Sequence, residues 1–241
     1  MSALIGEFIG TMVLVLLGDG VVANVVLKGT KGHGSGWIVI TFGWAMAVFV
    51  GVLMVARLSG AHLNPAVTLG LASAGTFDWQ LAPTYIFAQM LGACTGATLV
   101  WLLYKPHLDL SDDPDGKLAV FCTAPAIRSL PSNFAAELVG TFVLVFAALN
   151  ITGTLGSLDA LPIALVVLSI GLSLGGTTGY AINPARDLGP RIMHAILPIS
   201  GKRDSDWGYA WIPIAGPLAG AVVAAVVYQS VNAAVKMPLS T

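Results

Sequence analysis

Long stretches of this chain contain no Asp, Glu, Lys or Arg. Five such runs are Gly32 to Ala56, Trp79 to Tyr104, Leu138 to Leu158, Ala160 to Ala185 and Trp207 to Val235. Each exceeds the ~18 consecutive apolar residues that mark a transmembrane helix. A sixth, Ala3 to Leu27, is equally apolar but carries Glu7 and Asp19. The runs do not show the ~10-residue alternation of β-barrel strands. Only 10% of the 241 residues are charged, 56% are hydrophobic, and the formal net charge is −1. So few charges cannot cover a water-facing surface, and no basic field exists to attract nucleic acid. A soluble enzyme, a nucleic-acid binder and a disordered chain are therefore excluded, and lipid is the expected solvent. The start, Met1-Ser-Ala-Leu-Ile-Gly-Glu7, has no basic segment and reads as a retained span rather than a cleaved signal. Cys94 lies in an apolar run and Cys122 in a polar loop, so no disulfide and no metal motif is expected.

The polar residues from Lys105 to Ser132 read as one surface connection, and Asp159 with Pro162 reads as the opening of the fifth span. The flanking halves resemble each other. Glu7-Phe-Ile-Gly10-Thr11 matches Glu137-Leu-Val-Gly140-Thr141, Gly60-Ala-His-Leu-Asn64-Pro65-Ala66 matches Gly179-Tyr-Ala-Ile-Asn183-Pro184-Ala185, and Gly92, Gly96, Ala97 and Tyr104 match Gly216, Gly220, Ala221 and Tyr228. The matches keep one order and nearly one spacing, which indicates duplication. Each half holds three spans, so the second enters the membrane upside down, an arrangement that places a site at the midplane. The expected organisation is a single transmembrane domain over 1–241, with a first repeat at 1–104, a connecting loop at 105–132 and an inverted second repeat at 133–241. The fold class is all-α, six transmembrane helices plus two half-helices.

The half-helices follow from the two Asn-Pro-Ala segments, Asn64-Pro65-Ala66 and Asn183-Pro184-Ala185. Asn is a good helix cap, and Pro fits the first helical position. The apolar stretch after each runs only to about Ala74 and Ala195. Such helices reach about 15–18 Å, about half of the hydrocarbon core. Glycine-containing segments precede both, and irregular backbone at membrane depth is tolerated only in protein or along a polar cavity. Inverted halves aim the two helix N-termini at each other. Together they form a positive barrier against cations and protons, with the Asn64 and Asn183 amides free to donate to a neutral hydroxylic solute. Carbonyls of Gly60, Ala61, His62, Thr178, Gly179 and Tyr180 supply an acceptor ladder opposite apolar walls.

On these motifs the chain resembles the aquaporin and aquaglyceroporin (major intrinsic protein) family over essentially its whole length. The resemblance implies a channel in the cell membrane and a homotetramer with one pore per subunit. It implies a constriction at Arg186, Trp44 (twenty residues before Asn64), Gly171 (twelve before Asn183) and Tyr180 (three before Asn183). Asp187, Arg191 and Pro217-Leu218 resemble the glycerol-facilitator branch, and Gly171 stands where water-selective members have histidine. An aromatic corner suits the C–H edge of a polyol, and the Arg186 fork suits its hydroxyls. Tyr180 departs from the phenylalanine of familiar bacterial glycerol facilitators, so water, dihydroxyacetone, urea or a protonated small acid such as lactic acid stay as alternative cargoes.

The intramembrane acids Glu7 and Glu137 suggest proton coupling, but the resemblance favours a supporting role in which they accept hydrogen bonds from the pore segments. Asp187 and Arg191 read as a helix-terminal i,i+4 pair. Asp19 lines a vestibule or binds a neighbouring helix. His62 either makes a structural hydrogen bond or gates with pH. The pairs Gly92/Gly96, Gly171/Gly175 and Gly216/Gly220 read as close helix contacts. No phosphate loop, nucleophile–base constellation or metal cluster is present, so no enzyme, cofactor or metal is expected. The expected function is passive diffusion of glycerol, water and similar small neutral solutes, with a coupled transporter and an ion channel as rivals. The family's cytoplasmic termini would put Lys28, Lys31, Lys105, Lys117, Arg128, Lys202 and Arg203 outside, against the positive-inside rule, with only Arg57 and Lys236 clearly inside.

Overall fold

A computed structural model describes residues 1–151 and 160–236, and among these it contains helices and no strand. The helices are α1 (Ser2–Val26), α2 (Trp37–Ser59), α3 (Pro65–Ser73), α4 (Ala82–Leu110), α5 (Pro114–Phe121), α6 (Leu130–Asn150), α7 (Leu161–Ser173), α8 (Pro184–Ile196) and α9 (Ile212–Lys236). Five of them, α1, α2, α4, α6 and α9, are long and apolar enough to cross a membrane, and α7 is a shorter apolar helix. Only 33–50% of the residues in their most apolar windows are buried. The rest are apolar and face outward, as Phe42, Leu53, Phe87, Leu103 and Val226 do, which water does not tolerate over so large an area. The protein is a multi-pass integral membrane protein.

Helix α1 packs on α2 and α4, and α6 packs on α9 and α7. The short helices cross over. α3 lies mainly against α9, with α4 and α6 beside it, while α8 lies mainly against α4 and touches α9 and α1. Glycine makes the tightest of these contacts possible. A Cβ on Gly92 would lie 2.4 Å from the carbonyl oxygen of Phe8, and one on Gly96 2.5 Å from that of Met12. On the other side, a Cβ on Gly216 would meet Glu137 Cβ at 2.7 Å, and one on Gly220 the carbonyl oxygen of Leu138 at 2.2 Å. These backbones touch because no side chain separates them.

One expectation changes. The connection from Lys105 is not a plain surface loop: α4 continues to Leu110, and α5 buries Lys117, Leu118, Val120 and Phe121. Its polar residues hid a one-sided helix, because Lys117 is turned inward to donate to the Ser200 carbonyl. The cap of α7 is Ala160, with Pro162 in the first turn, and Asp159 lies outside the described residues, as does the end of the Leu138–Leu158 run. Gly171 and Gly175 lie close to α2, where added Cβ atoms would be 3.0 Å from Thr41 Cγ2 and from Trp37 Cζ2, and they also make room for the Tyr180 ring, whose Cζ and Cδ1 would lie 2.9 Å and 2.4 Å from the same two Cβ atoms.

Gly220→Val is expected to cost about 3 kcal/mol or more, because the opposing Leu138 carbonyl cannot give way. Gly20→Ala, with nothing within 4 Å of the added Cβ, is expected to change stability by no more than about 1 kcal/mol. Thermal unfolding of the detergent-solubilised variants separates the two; equal stability would refute the backbone contact.

Candidate functional site

Both short helices begin on asparagine in extended conformation. Asn64 has φ −160° and its side-chain oxygen accepts from the Ala66 N–H; Asn183 has φ −157° and accepts from Ala185 and Arg186. Pro65 and Pro184 occupy the first helical positions, where a missing N–H costs nothing. The amide NH2 groups then reach across the molecule. Asn64 Nδ2 donates to the Ile182 carbonyl at 2.8 Å, and Asn183 Nδ2 donates to the Leu63 carbonyl at 2.9 Å. Each asparagine thus holds the residue that precedes the other. An amide nitrogen has two hydrogens, so one donor on each remains for a solute.

The segments leading into these caps are strained in the same way. Gly60, Ala61 and Leu63 have φ of 80°, 52° and 52°, and Gly179, Tyr180 and Ile182 have 79°, 39° and 42°. A non-glycine residue at positive φ costs about 1–3 kcal/mol, so something must hold it there. Two buried carboxylates do. Glu7 accepts from Ser59 Oγ (2.6 Å), His62 N (3.0 Å), Leu63 N (2.7 Å) and Gln89 Nε2 (2.7 Å). Glu137 accepts from Thr178 Oγ1 (2.7 Å), Ala181 N (2.9 Å) and Ile182 N (2.8 Å). In a planar trans peptide the carbonyl points opposite its N–H. Turning these N–H groups toward the glutamates turns the carbonyls of Ala61, His62, Tyr180 and Ala181 the other way.

That other way is a cavity of about 230 Å³. Gly60, Ala61, His62, Leu63 and Asn64 line it from one segment, and Tyr180, Ala181, Ile182 and Asn183 from the other. Val48, Val52, Val67, Leu71, Ile163 and Val167 give it apolar walls. Thr178 and Gly179, expected among the carbonyl acceptors, do not line it, and Ala181, missed in the sequence, does. The peptides held by Glu137 are those after Tyr180 and Ala181, so Tyr180 stays in the ladder and Ala181 takes the place of Thr178 and Gly179. Pro65, Ala66, Pro184 and Ala185 are buried behind the asparagines.

At one end of the cavity Trp44, Tyr180 and Arg186 come together. The Arg186 guanidinium lies over the Trp44 ring, 3.9 Å from its centre, and its Nη1 is 3.5 Å from Asp19 Oδ1. Asp19 therefore binds a neighbouring helix, settling what the sequence left open. Gly171 is not on the lumen. It stands behind Tyr180, its carbonyl accepts from Trp37 Nε1 at 3.0 Å, and the Trp37 ring meets Tyr180 edge-on at 5.8 Å. The expected wider opening is filled by the tyrosine ring, whose hydroxyl is buried without a partner.

The supports continue outward. Asp187 and Arg191, both fully buried, form a two-pronged pair at 2.7 and 2.9 Å. Asp187 also accepts from Thr123 N and Oγ1, and Arg191 donates to the Thr123 and Ser205 carbonyls, tying two loops to α8. Lys202 donates to the carbonyls of His194, Ala195 and Leu197 and so closes the C-terminus of α8. The His62 ring bonds to Thr68 Oγ1 at 3.1 Å and packs on Phe77 and Tyr85. Ser59, Gln89, Thr123 and Lys202 were not singled out in the sequence, where a lone polar residue in or beside a span has no pattern to mark its partner.

Residues 1–228 match the profile of the Major intrinsic protein family. The chain is 59% identical over 231 residues to a probable glycerol uptake facilitator protein of Thermotoga maritima, covering 95% of this chain and 99% of that one. It is 53% identical to a glycerol uptake facilitator protein of Streptococcus pneumoniae, with the same coverage. Its fold is similar to that of the aquaglyceroporin from Plasmodium falciparum, with a TM-score of 0.87, 38% identity and 97% of each chain covered.

Glu137→Gln turns one of the two acceptor oxygens into a donor, which then faces the backbone N–H of Ala181 or of Ile182. It is expected to cost about 2–4 kcal/mol of stability and to reduce permeation. Thermal unfolding beside stopped-flow flux tests it, and a variant with wild-type stability would show that the carboxylate does not hold the segment.

Proposed function

The chain belongs to the major intrinsic protein family, and from that premise we propose that it is a passive channel through which glycerol, water and similar small neutral solutes diffuse, while ions and protons are excluded. The observation that carries this reading is the cavity itself: two asparagine donors and a row of backbone carbonyls along one side, aliphatic walls along the other. A polyol matches that division, with hydroxyls on the polar row and C–H groups on the walls. The glycerol facilitators and the aquaglyceroporin to which the chain is similar support the same cargo.

Ion exclusion rests on charge. The N-termini of α3 and α8 converge at the asparagines, and Arg186 stands at one end of the cavity, so a cation meets partial positive charges and finds no carboxylate on the wall. Trp44, Tyr180 and Arg186 form the selectivity filter in this reading, with Gly171 setting where the Tyr180 ring rests. Glu7 and Glu137 support the pore segments and do not move protons: neither lines the cavity, and their oxygens are committed to hydrogen-bond donors. No catalytic step and no cofactor is part of the proposal. The assembly is a homotetramer in the bilayer, with one pore per subunit.

Stopped-flow shrinkage of proteoliposomes tests the reading. Glycerol flux is expected to be linear in concentration and indifferent to a proton gradient; saturation at low concentration or a response to the gradient would sink it. Gly171→His is expected to push the Tyr180 ring toward the lumen and lower glycerol flux about tenfold or more, with a smaller effect on water. Equal loss of both would remove Gly171 and Tyr180 from the filter.

A further inference from the structure

We propose that Asp19 is a positioning residue that holds Arg186 on Trp44 and so keeps the cavity closed at that end, an inference that rests on the channel reading above. Asp19 is fully buried in α1. Its neighbour Gly18 leaves room for the indole: an added Cβ would lie 2.2 Å from Trp44 Cζ3, so the ring rests directly on α1 beside the carboxylate. Arg186 comes from α8, which touches α1. Its guanidinium ends against this same surface, 3.9 Å from the indole centre and 3.5 Å from Asp19 Oδ1.

A carbon–carbon contact is optimal at about 3.5–4.0 Å. A guanidinium 3.9 Å from the ring is therefore in contact with it, and no hydroxylated solute fits between them. The cavity agrees. It passes the two asparagines and reaches Trp44, Tyr180 and Arg186, but no residue of α2 before Trp44 lines it.

Asp19 is the group that makes this position favourable. Its Oδ1 faces the guanidinium at 3.5 Å, and its Oδ2 has no hydrogen-bond partner among the described residues. Asp187, next to Arg186 in the chain, is already taken by Arg191 and Thr123. Among the described residues, Asp19 is the carboxylate paired with Arg186. The pair is one contact at 3.5 Å between two buried charges, and the stacking on Trp44 adds to it. Opening requires the guanidinium to leave the ring, and the carboxylate behind the ring opposes that. Removing its charge shifts the population toward the open arrangement.

The test uses proteoliposomes with wild type, D19N, D19S, D19E, R186A and D19N/R186A, with glycerol and water permeability normalised to reconstituted protein. D19N and D19S are expected to raise both permeabilities, by about three- to tenfold if the closed arrangement dominates in the wild type. D19E, which keeps the charge, stays near the wild-type rate, and D19N adds nothing in the R186A background. Loss of a merely structural residue would not raise flux, nor would its effect vanish with Arg186. Per-channel rates of D19N and D19S at or below wild type overturn the proposal, as does an increase that survives R186A. Failure of both neutral variants to reconstitute also overturns it, by making the pair a folding element. If glycerol crosses through none of the proteins, including R186A, the glycerol reading has failed, and water permeability on the same vesicles still decides the role of Asp19.

Discussion

A peptide group at membrane depth has no water to bond with, and this constraint governs the centre of the molecule. The segments before Asn64 and Asn183 are not helical, so their N–H and C=O groups need partners from elsewhere. The N–H groups are taken by Glu7 and Glu137, which together accept four backbone donors at 2.7 to 3.0 Å. The carbonyls of Leu63 and Ile182 are taken by the opposing asparagines. What remains unpaired is the row of carbonyls facing the cavity, and an unpaired carbonyl in an enclosed space calls for a hydroxylic guest. The buried glutamates and the polar pathway are thus two sides of the same peptide planes.

That arrangement needs the two halves of the chain to come very close, and glycine supplies the proximity. Helix α4 touches the α1 backbone through Gly92 and Gly96, and α9 touches the α6 backbone through Gly216 and Gly220. Glu7 and Glu137 sit on those same α1 and α6 helices. The packing therefore fixes where each carboxylate stands, and the carboxylate fixes the strained segment above it. Asp187 and Arg191 carry the same logic outward by binding Thr123 and Ser205 to α8 with bonds that leave neither charge exposed.

Much of this was legible in the sequence, and the reason differs by residue. Charge-free runs reveal spans because lipid punishes charge at every position. The half-helices are legible because Asn-Pro-Ala is a capping signal and its repetition marks two equivalent points. Glu7 and Glu137 stand out because an acid inside an apolar run needs an explanation. Legibility fails where a role is set by a distant partner. Gly171 reads as an open space, but the Tyr180 ring fills it. Polar residues between Lys105 and Ser132 read as surface, yet Lys117 turns inward because a carbonyl of the later chain, at Ser200, awaits it. Thr178 and Gly179 fall outside the carbonyl ladder, while Gly60, Ala61, His62 and Tyr180 stay beside the cavity, because the register of the second segment depends on which N–H groups meet Glu137. Asp19 could not be assigned because nothing adjacent in sequence points to Arg186.

The buried charges divide into two kinds of compensation, and the division follows what each must do. Glu7 and Glu137 are balanced by dipoles: backbone N–H groups, hydroxyls and one glutamine amide. Such donors are fixed in place, so these carboxylates are as rigid as the segments they hold. Asp187 and Arg191 balance each other at contact distance with further bonds on both sides, again without freedom to move. Asp19 and Arg186 differ. Their separation is 3.5 Å, one carboxylate oxygen is unpartnered, and the guanidinium borders the cavity. A pair held by few bonds at the edge of a polar space is the least constrained of the interior charges. If any charged element of the centre changes position while solute passes, the balance of bonds assigns that part to Arg186.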